Sequence, residues 1–400
     1  MTEEKNTVLV WTEYQTATIS PAPAILALGY SLYENFSNYV DVEFPSPKTA
    51  GDWLFTPQGW VGTIPVTETF TVSIQPKAPL ANIFKMWEVA YRLRGFKFLD
   101  GIIESDSLAD FYQNLAKIFV NKVFDRARKG LYKEYLGRSD RLSYVTGRLD
   151  IRRLAAEPWR VELDCSYEEH TADVEENQIL CWTLSVIARS GLCSDEILSR
   201  VRKAYRELLG CITPLPVPPQ ACIGRLYNRL NDDYEALHGL CRFFLEHRGP
   251  THQQGDRTMM PFLMDMARLF ELFVAEWLIL HLPARYELKQ QHTVSFGSKN
   301  EVKFRMDAVI KDKDTGMPVC VLDTKYKVPD SADSGDIHEV RSYAESIGCT
   351  ESLLVYPIEL HTPLYINAGK IRTRSLTFRL DSDLDDSGKI FMENLFSGIG

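Results

Sequence analysis

The chain has 400 residues, of which 45% are hydrophobic and 25% are charged, and its formal net charge is −9. This composition is typical of a globular protein with two or three domains. The acidic balance excludes a protein that coats nucleic acid through bulk positive charge, although a local basic groove or delivery by a partner is compatible with it.

No stretch of the sequence indicates export or insertion into a membrane. The N-terminus has no basic segment followed by an apolar one, and no apolar run is long enough to span a bilayer. The eight cysteines are scattered and never form C-x-x-C, which favours reduced core residues over disulfides or zinc ligands. We therefore expect a cytoplasmic protein that does not bind a membrane.

Residues 1–80 are predicted to form a β-rich N-terminal domain. Short runs rich in Val, Thr and aromatic residues are separated there by Pro, Gly, Asn and Asp. The segment 21–36 is the exception, because its prolines and apolar residues predict one inserted helix.

Residues 81–250 are predicted to form a mainly helical middle domain that binds a partner. Between Ser107 and Gly130 the apolar residues recur at helical spacing, and they are Leu108, Phe111, Leu115, Ile118 and Phe119. Ser107 or Asp106 is the expected N-cap of this helix, and Gly130 its expected end. The segment 194–210 follows the same plan, with acids first, bases later and a final glycine.

Residues 251–400 are predicted to form a mixed domain with the element order αβββαβ. Its predicted elements are a helix over Thr258–Leu280, strands over 286–296, 302–311 and 318–327, a helix over 335–348 and a strand over 352–357.

Charged side chains converge in this last region. Alternation places Asp307 on the polar face of one strand, and Asp323 and Lys325 on a common face of the next. Because Asp314 and Gly316 supply turn chemistry between the two strands, a hairpin would set them side by side. The pattern predicts that the two acids and the lysine meet.

Such a cluster suits the cleavage of phosphodiester bonds. Carboxylates can hold one or two Mg²⁺ ions, and a neighbouring lysine can orient the attacking water and balance negative charge. Glu271, on the predicted upstream helix, could add another carboxylate. The alternative is a solvated hairpin with surface charge pairs. We favour the metal site, because buried acids at strand ends are costly without a role.

The same residues resemble a known family. "RMDAVI" followed by "VLDTKYK" is similar to the core of PD-(D/E)xK nucleases, with Met306 at the first position of the signature. The chain resembles the McrC family more closely, the nuclease subunits of McrBC modification-dependent restriction systems. Further segments such as "FLMDMARLFELFVAEWL" and "VTGRLDIRR" carry this resemblance along most of the chain.

The resemblance implies an α+β multidomain fold whose C-terminal domain is a PD-(D/E)xK nuclease. It assigns the metal acids to Asp307 and Asp323, the lysine to Lys325 and the helical acid to Glu271. The family often carries Gln-x-x-x-Tyr on the following helix, where this chain has Glu339 and Tyr343. A glutamate can accept a hydrogen bond but cannot donate one as an amide does, and it brings a negative charge near the site.

The resemblance also implies partners. The family works with McrB, an AAA+ GTPase that assembles as a hexamer, and it cleaves double-stranded DNA. This sequence has no P-loop, so GTP would be bound by the partner and not by this chain. The expected function is a Mg²⁺-dependent DNA endonuclease subunit that stimulates the GTPase of its partner.

Two other functions are compatible with the sequence. The chain could be an assembly factor that caps and activates an AAA+ ring with little cleavage of its own, or a stand-alone PD-(D/E)xK nuclease. The DNA target, the need for methylation and the stoichiometry of a complex stay open.

Overall fold

A computed structural model describes residues 7–67, 69–91, 107–249, 252–254, 257–259, 261–296, 302–327 and 331–397. The chain is a mixed α/β protein with helices and several sheets. Contacts between residues divide it into two compact units, one of Met1–Phe111 with Gly249–Gly400 and the other of Tyr112–Arg248. The division into three domains at residues 80 and 250 stays a prediction.

The N-terminal region is β-rich and contains one early helix that opens with a proline, as predicted. Its elements are β1 (Thr7–Thr12), β2 (Ala17–Ile19), α1 (Pro23–Phe36), β3 (Val40–Glu43), β4 (Trp53–Pro57), β5 (Trp60–Pro65), β6 (Phe70–Gln75) and α2 (Leu80–Ala90). One core holds this region together, with Leu28 and Phe36 from α1 and Trp53 and Phe55 from β4 all buried in it.

The middle region begins with the predicted long helix. Its elements are α3 (Leu108–Lys129), β7 (Glu134–Leu142), β8 (Arg148–Leu149), α4 (Ile151–Ala156), β9 (Leu163–Thr171), α5 (Glu175–Ala188), α6 (Asp195–Leu209) and α7 (Tyr234–Glu246). Ser107 caps α3, because its Oγ accepts from the backbone N–H of Asp110 at 3.1 Å. The alternative cap, Asp106, lies outside the described residues. Gly210 is the C-cap of α6, as expected.

The prediction that the middle region is mainly helical misses a sheet. β7, β9 and β8 form an antiparallel sheet in that spatial order. Most residues of β7 are exposed, so the strand lacks the apolar alternation by which strands are recognised. Ion pairs across the strands accompany the pairing instead, with Arg138 at 3.1 Å from Glu169 and Arg141 at 3.1 Å from Asp164.

The C-terminal region contains the predicted succession of a helix, three strands, a helix and a strand, from α8 to β16. Its elements are β10 (His252–Gln254), β11 (Arg257–Met259), β12 (Phe262–Asp265), α8 (Met266–His281), β13 (Tyr286–Phe296), β14 (Val302–Asp312), β15 (Pro318–Thr324), α9 (Ser334–Ser346), β16 (Glu351–Tyr356), β17 (Tyr365–Ala368), β18 (Ile371–Thr377) and α10 (Leu384–Phe396).

The predicted helix over Thr258–Leu280 starts too early. Arg257–Met259 and Phe262–Asp265 are strands, and α8 begins at Met266, where the side chain of Asp265 accepts from the backbone N–H of Arg268 in the first turn. β12 pairs antiparallel with β5 of the N-terminal region, at the edge of a four-stranded sheet. This partner is about 200 residues away along the chain, and local periodicity contains no sign of it.

A six-stranded sheet carries the C-terminal region, in the order β13-β14-β15-β16-β18-β17. On one face, Val309, Val321 and Leu354 pack against Val340 of α9. Leu322 alternates with these positions and is also fully buried, and α8 contacts β13, β14 and β15. The strands next to the charged cluster are therefore buried on both faces, as in α/β sheets.

Within the described ranges, no helix combines the length and the apolar character needed to cross a membrane. The eight cysteines are free thiols.

The close approach of β12 to β5 depends on Gly62, which has φ +141°, and a Cβ added at this position would lie 2.1 Å from the carbonyl oxygen of Phe262. We expect Gly62→Ala to lower the free energy of unfolding by about 3 kcal/mol, through overpacking and backbone strain together. Denaturant unfolding measures the loss.

Gly51→Ala is the matched control, since Gly51 also has a positive φ, +88°, but open space around it. Strain alone predicts a loss of about 1 kcal/mol there. Equal losses in the two variants would contradict the role given to the contact between β5 and β12.

Candidate active site

The predicted hairpin of β14 and β15 is confirmed. The two strands pair antiparallel, with Ala308 opposite Leu322. Asp307 and Asp323 come next in this register, at the point where the pairing of the two strands stops. The sequence positions that alternation placed on one face are therefore neighbours on adjacent strands.

Asp307 is held by hydrogen bonds from the end of β15. Its Oδ2 accepts from the backbone N–H and from the hydroxyl of Thr324, both at 2.8 Å. Burial raises the pKa of Asp307, and the nearby negative charge of Glu271 adds to the shift. Thr324 was missed by the sequence analysis, although its place directly after Asp323 could have indicated a contact across the hairpin.

Asp323 is the most deeply buried acid of the cluster, with 5% of its surface exposed. Its Oδ2 forms an ion pair with Nζ of Lys325 at 2.8 Å. Burial, followed by the negative charge of Asp307, raises the pKa of Asp323 to about 7.

Lys325 lies among three carboxylates. Its Nζ is 2.8 Å from Asp323, 3.0 Å from Glu339 and 3.7 Å from Asp336. Burial lowers the pKa of Lys325, but the charges of Asp323 and Glu339 outweigh it and raise the pKa above its ordinary value. The lysine is therefore a cation and a hydrogen-bond donor at neutral pH, not a base.

Helix α9 contributes Glu339 and Tyr343 to this cluster. Glu339 accepts from Lys325 through Oε2 at 3.0 Å and from the hydroxyl of Tyr343 through Oε1 at 2.7 Å. Burial works to raise the pKa of Glu339, but these two donors lower it overall. A glutamate suits this place, because both of its neighbours donate and an amide hydrogen is not needed.

Asp336 was also missed by the sequence analysis. It lies one turn before Glu339 on α9 and pairs with Lys327 as well as with Lys325. The spacing of Asp336, Glu339 and Tyr343 on one helical face is a signal that could have identified it.

Glu271 takes a different position from the other predicted residues. Its Oε1 is 2.7 Å from Nη1 of Arg268 and accepts from Nε2 of Gln291 at 3.3 Å. After burial, the negative charge of Glu271 is the next contribution to the raised pKa of Asp307. Over the described ranges, however, no group of three or more His, Cys, Asp or Glu side chains is arranged to hold a metal ion. The structure brings together Asp307, Asp323, Lys325, Glu339 and Tyr343, with Glu271 beside them.

Asp307 and Asp323 nevertheless fit a divalent cation. Asp323 is buried and a second carboxylate, that of Asp307, stands next to it, so a further cation would relieve the repulsion between the two acids. Mg²⁺ usually takes only one or two carboxylates from a protein and completes its shell with water and substrate phosphate. Two acids are enough for such a site.

Comparisons with known proteins point to one family. A family model described as "McrBC 5-methylcytosine restriction system component" matches residues 55–357. A solved structure from Thermococcus gammatolerans, of a tetradecameric assembly of McrB AAA+ hexamers with bound McrC, matches with a TM-score of 0.53 at 15% identity, covering 98% of this chain and 100% of that chain. A second structure, of the McrBC complex from the same organism, matches with a TM-score of 0.43 at 17% identity, covering 69% and 88%. No curated protein matches.

The raised pKa of Asp323 predicts a dependence of stability on pH in the metal-free protein. A carboxyl with a folded pKa of about 7, against an ordinary value of 3.8, binds a proton more tightly in the folded state. Its stabilising contribution is present below the ordinary pKa and is lost as the pH rises through the folded pKa. Asp323→Asn should therefore raise the melting temperature by a few degrees at pH 8 and by progressively less toward pH 4.

Asp314→Asn is the control for this measurement, because Asp314 lies exposed in the turn between the same two strands. We expect no comparable pH-dependent gain from it. A melting temperature of Asp323→Asn that stays below the wild type at pH 8 would show that Asp323 stabilises the fold in its charged form.

Proposed function

The chain belongs to the family of McrBC 5-methylcytosine restriction system components, and on that premise we propose that it is the Mg²⁺-dependent DNA endonuclease subunit of such a system. The observation that carries the proposal is the buried Asp323, which lies beside Asp307 on the adjacent strand and forms an ion pair with Lys325. A structural ion pair would not need the second acid.

The proposed domain is of the PD-(D/E)xK type. The order of elements from α8 to β16 and the position of the two acids on adjacent strands support this assignment. Asp307 and Asp323 would hold the cation, and Thr324 would keep the Asp307 carboxylate in place through its two hydrogen bonds. Glu271 would support the same site from α8.

A bound Mg²⁺ would polarise the scissile phosphate and lower the pKa of a water molecule. Lys325 would orient that water and balance the negative charge that develops on the phosphate. Because its pKa is raised, Lys325 acts in this scheme through charge and hydrogen bonding and does not accept the proton. Glu339 and Tyr343 would hold the lysine, since Glu339 accepts from both.

The proposed partner is a McrB-like AAA+ GTPase hexamer that binds GTP. The likeness to a chain from an assembly of McrB hexamers with bound McrC supports this choice. A net charge of −9 also suits a nuclease that is brought to DNA by another protein. We further propose that the substrate is double-stranded DNA, with methylated cytosine as the first target to examine.

Cleavage of plasmid DNA tests the proposal. The purified chain is mixed with the AAA+ GTPase encoded beside it, GTP and Mg²⁺, on cytosine-methylated and unmethylated plasmid. We expect wild-type cleavage, and a loss on the order of 1,000-fold in Asp323→Ala. We also expect the fold, and with it stimulation of the partner's GTPase, to survive in that variant, because the change is confined to one side chain at the end of β15.

Asp314→Ala is the matched control and should cleave like the wild type, since Asp314 is an exposed turn residue of the same hairpin. Cleavage without partner or GTP would favour a stand-alone nuclease. Stimulated GTPase with no cleavage of either plasmid would contradict the endonuclease and leave the role of an assembly factor.

A further inference from the structure

A second buried carboxylate lies behind the candidate active site. Glu13 follows β1 and has no exposed surface. Its Oε1 accepts from the backbone N–H of Lys77 and from the hydroxyl of Tyr326, both at 2.8 Å. Its Oε2 is buried and has no hydrogen-bond partner among the residues that the structure describes. Burial raises the pKa of Glu13, which reflects the cost of placing a carboxylate there.

Tyr326 connects this carboxylate to the candidate active site, because it directly follows Lys325. The two consecutive side chains have different partners, Lys325 pairing with Asp323 and Tyr326 bonding to Glu13. The ring of Tyr326 also lies 6.0 Å, between centroids, from that of Phe270 on α8, the residue before Glu271. One tyrosine therefore contacts both the N-terminal region and helix α8.

Two hydrogen bonds hold the backbone at Lys325. Its N–H donates to the carbonyl oxygen of Val355 at 2.8 Å, and its carbonyl oxygen accepts from the N–H of Lys327 at 3.0 Å in a tight turn. Regular pairing of β15 has ended at Thr324. A long, flexible lysine side chain on such a segment depends on how firmly the backbone below it is held.

A cavity lies beside Tyr326, so packing does not surround this side chain completely. A cavity of about 50 Å³ lies against the bond, lined by residues that include Glu13, Tyr14, Lys77, Tyr326, Ile358 and Leu380. The ring of Tyr326 is therefore not enclosed by packed side chains on the cavity side. The hydrogen bond to Glu13 therefore carries more of the positioning than it would in a filled core.

We propose that Glu13 and Tyr326 are positioning residues for Lys325, so that the N-terminal region, from 313 positions away along the chain, completes the candidate active site. The inference rests on the proposed endonuclease function. A charge-assisted hydrogen bond from the tyrosine to a buried carboxylate fixes the turn after β15, and the turn fixes the ammonium against Asp323 and Glu339.

Tyr326→Phe in the full chain is the direct test, because it removes only the hydroxyl. Amide hydrogen exchange, measured by mass spectrometry over Asp323–Lys327, should become about tenfold faster, the loss expected for a hydrogen bond to a charged group. In the complex with the partner, GTP and Mg²⁺, the maximal rate of plasmid cleavage should fall about tenfold, with the half-saturating DNA concentration unchanged. Stimulation of the partner's GTPase should stay at the wild-type level.

The variants at Glu13 separate positioning from general stability. Glu13→Gln keeps an oxygen that accepts from Tyr326 and should remain within about threefold of the wild type in both measurements. Glu13→Ala should behave like Tyr326→Phe, and the double variant should add little to either change, because both remove the same bond. Tyr33→Phe is the control for loss of a tyrosine hydroxyl in the exposed part of the N-terminal region.

Unchanged exchange over Asp323–Lys327 in Tyr326→Phe would overturn the positioning contact. Faster exchange with an unchanged cleavage rate would overturn its link to the reaction. A wild-type chain that fails to cleave would overturn the proposed endonuclease instead, and the exchange measurement would still decide whether Glu13 positions the lysine segment.

Discussion

The candidate active site depends on two acids placed next to each other where β14 and β15 separate. Asp323 is buried and feels the negative charge of Asp307, which together raise its pKa to about 7. Lys325, 2.8 Å away, works to lower this pKa, but burial and the charge of Asp307 outweigh it. Hydrophobic residues would make a more stable sheet at these positions. The site is therefore one where stability is given up, which is typical of functional sites.

Hydrogen bonds from the surrounding residues hold Asp307 and Lys325 in place. Thr324 fixes the orientation of Asp307 through its backbone and its side chain. Glu339 and Tyr343 hold Lys325 from α9, and the replacement of the usual glutamine by Glu339 is compatible with this because both neighbours of Glu339 donate hydrogen bonds. The N-terminal region contributes through β5, which pairs with the strand that leads into α8. Glu13, in the same N-terminal region, also accepts a hydrogen bond from Tyr326, the residue that follows Lys325.

Local patterns predicted the elements that carry the cluster. Alternation along β14 and β15, turn residues between them and helical spacing in α3 and α6 each occur in the structure where the sequence indicated. The failures share a physical cause. β12 is a strand because of β5, about 200 residues away, and β7, which pairs with β9, is mostly exposed and has no apolar period. The bond between Glu13 and Tyr326 likewise joins distant residues, which no local pattern records.

The central claim is that Asp307 and Asp323 hold a divalent cation, and binding of Mn²⁺ followed by electron paramagnetic resonance tests it most directly. The signal of free Mn²⁺ is titrated with the wild-type chain, with Asp323→Asn and with Asp314→Asn. We predict that the wild type and Asp314→Asn remove one or two ions per chain from solution, and that Asp323→Asn removes none at the same concentrations. Equal uptake by Asp323→Asn, or no uptake by the wild type, would contradict the metal site and the mechanism built on it.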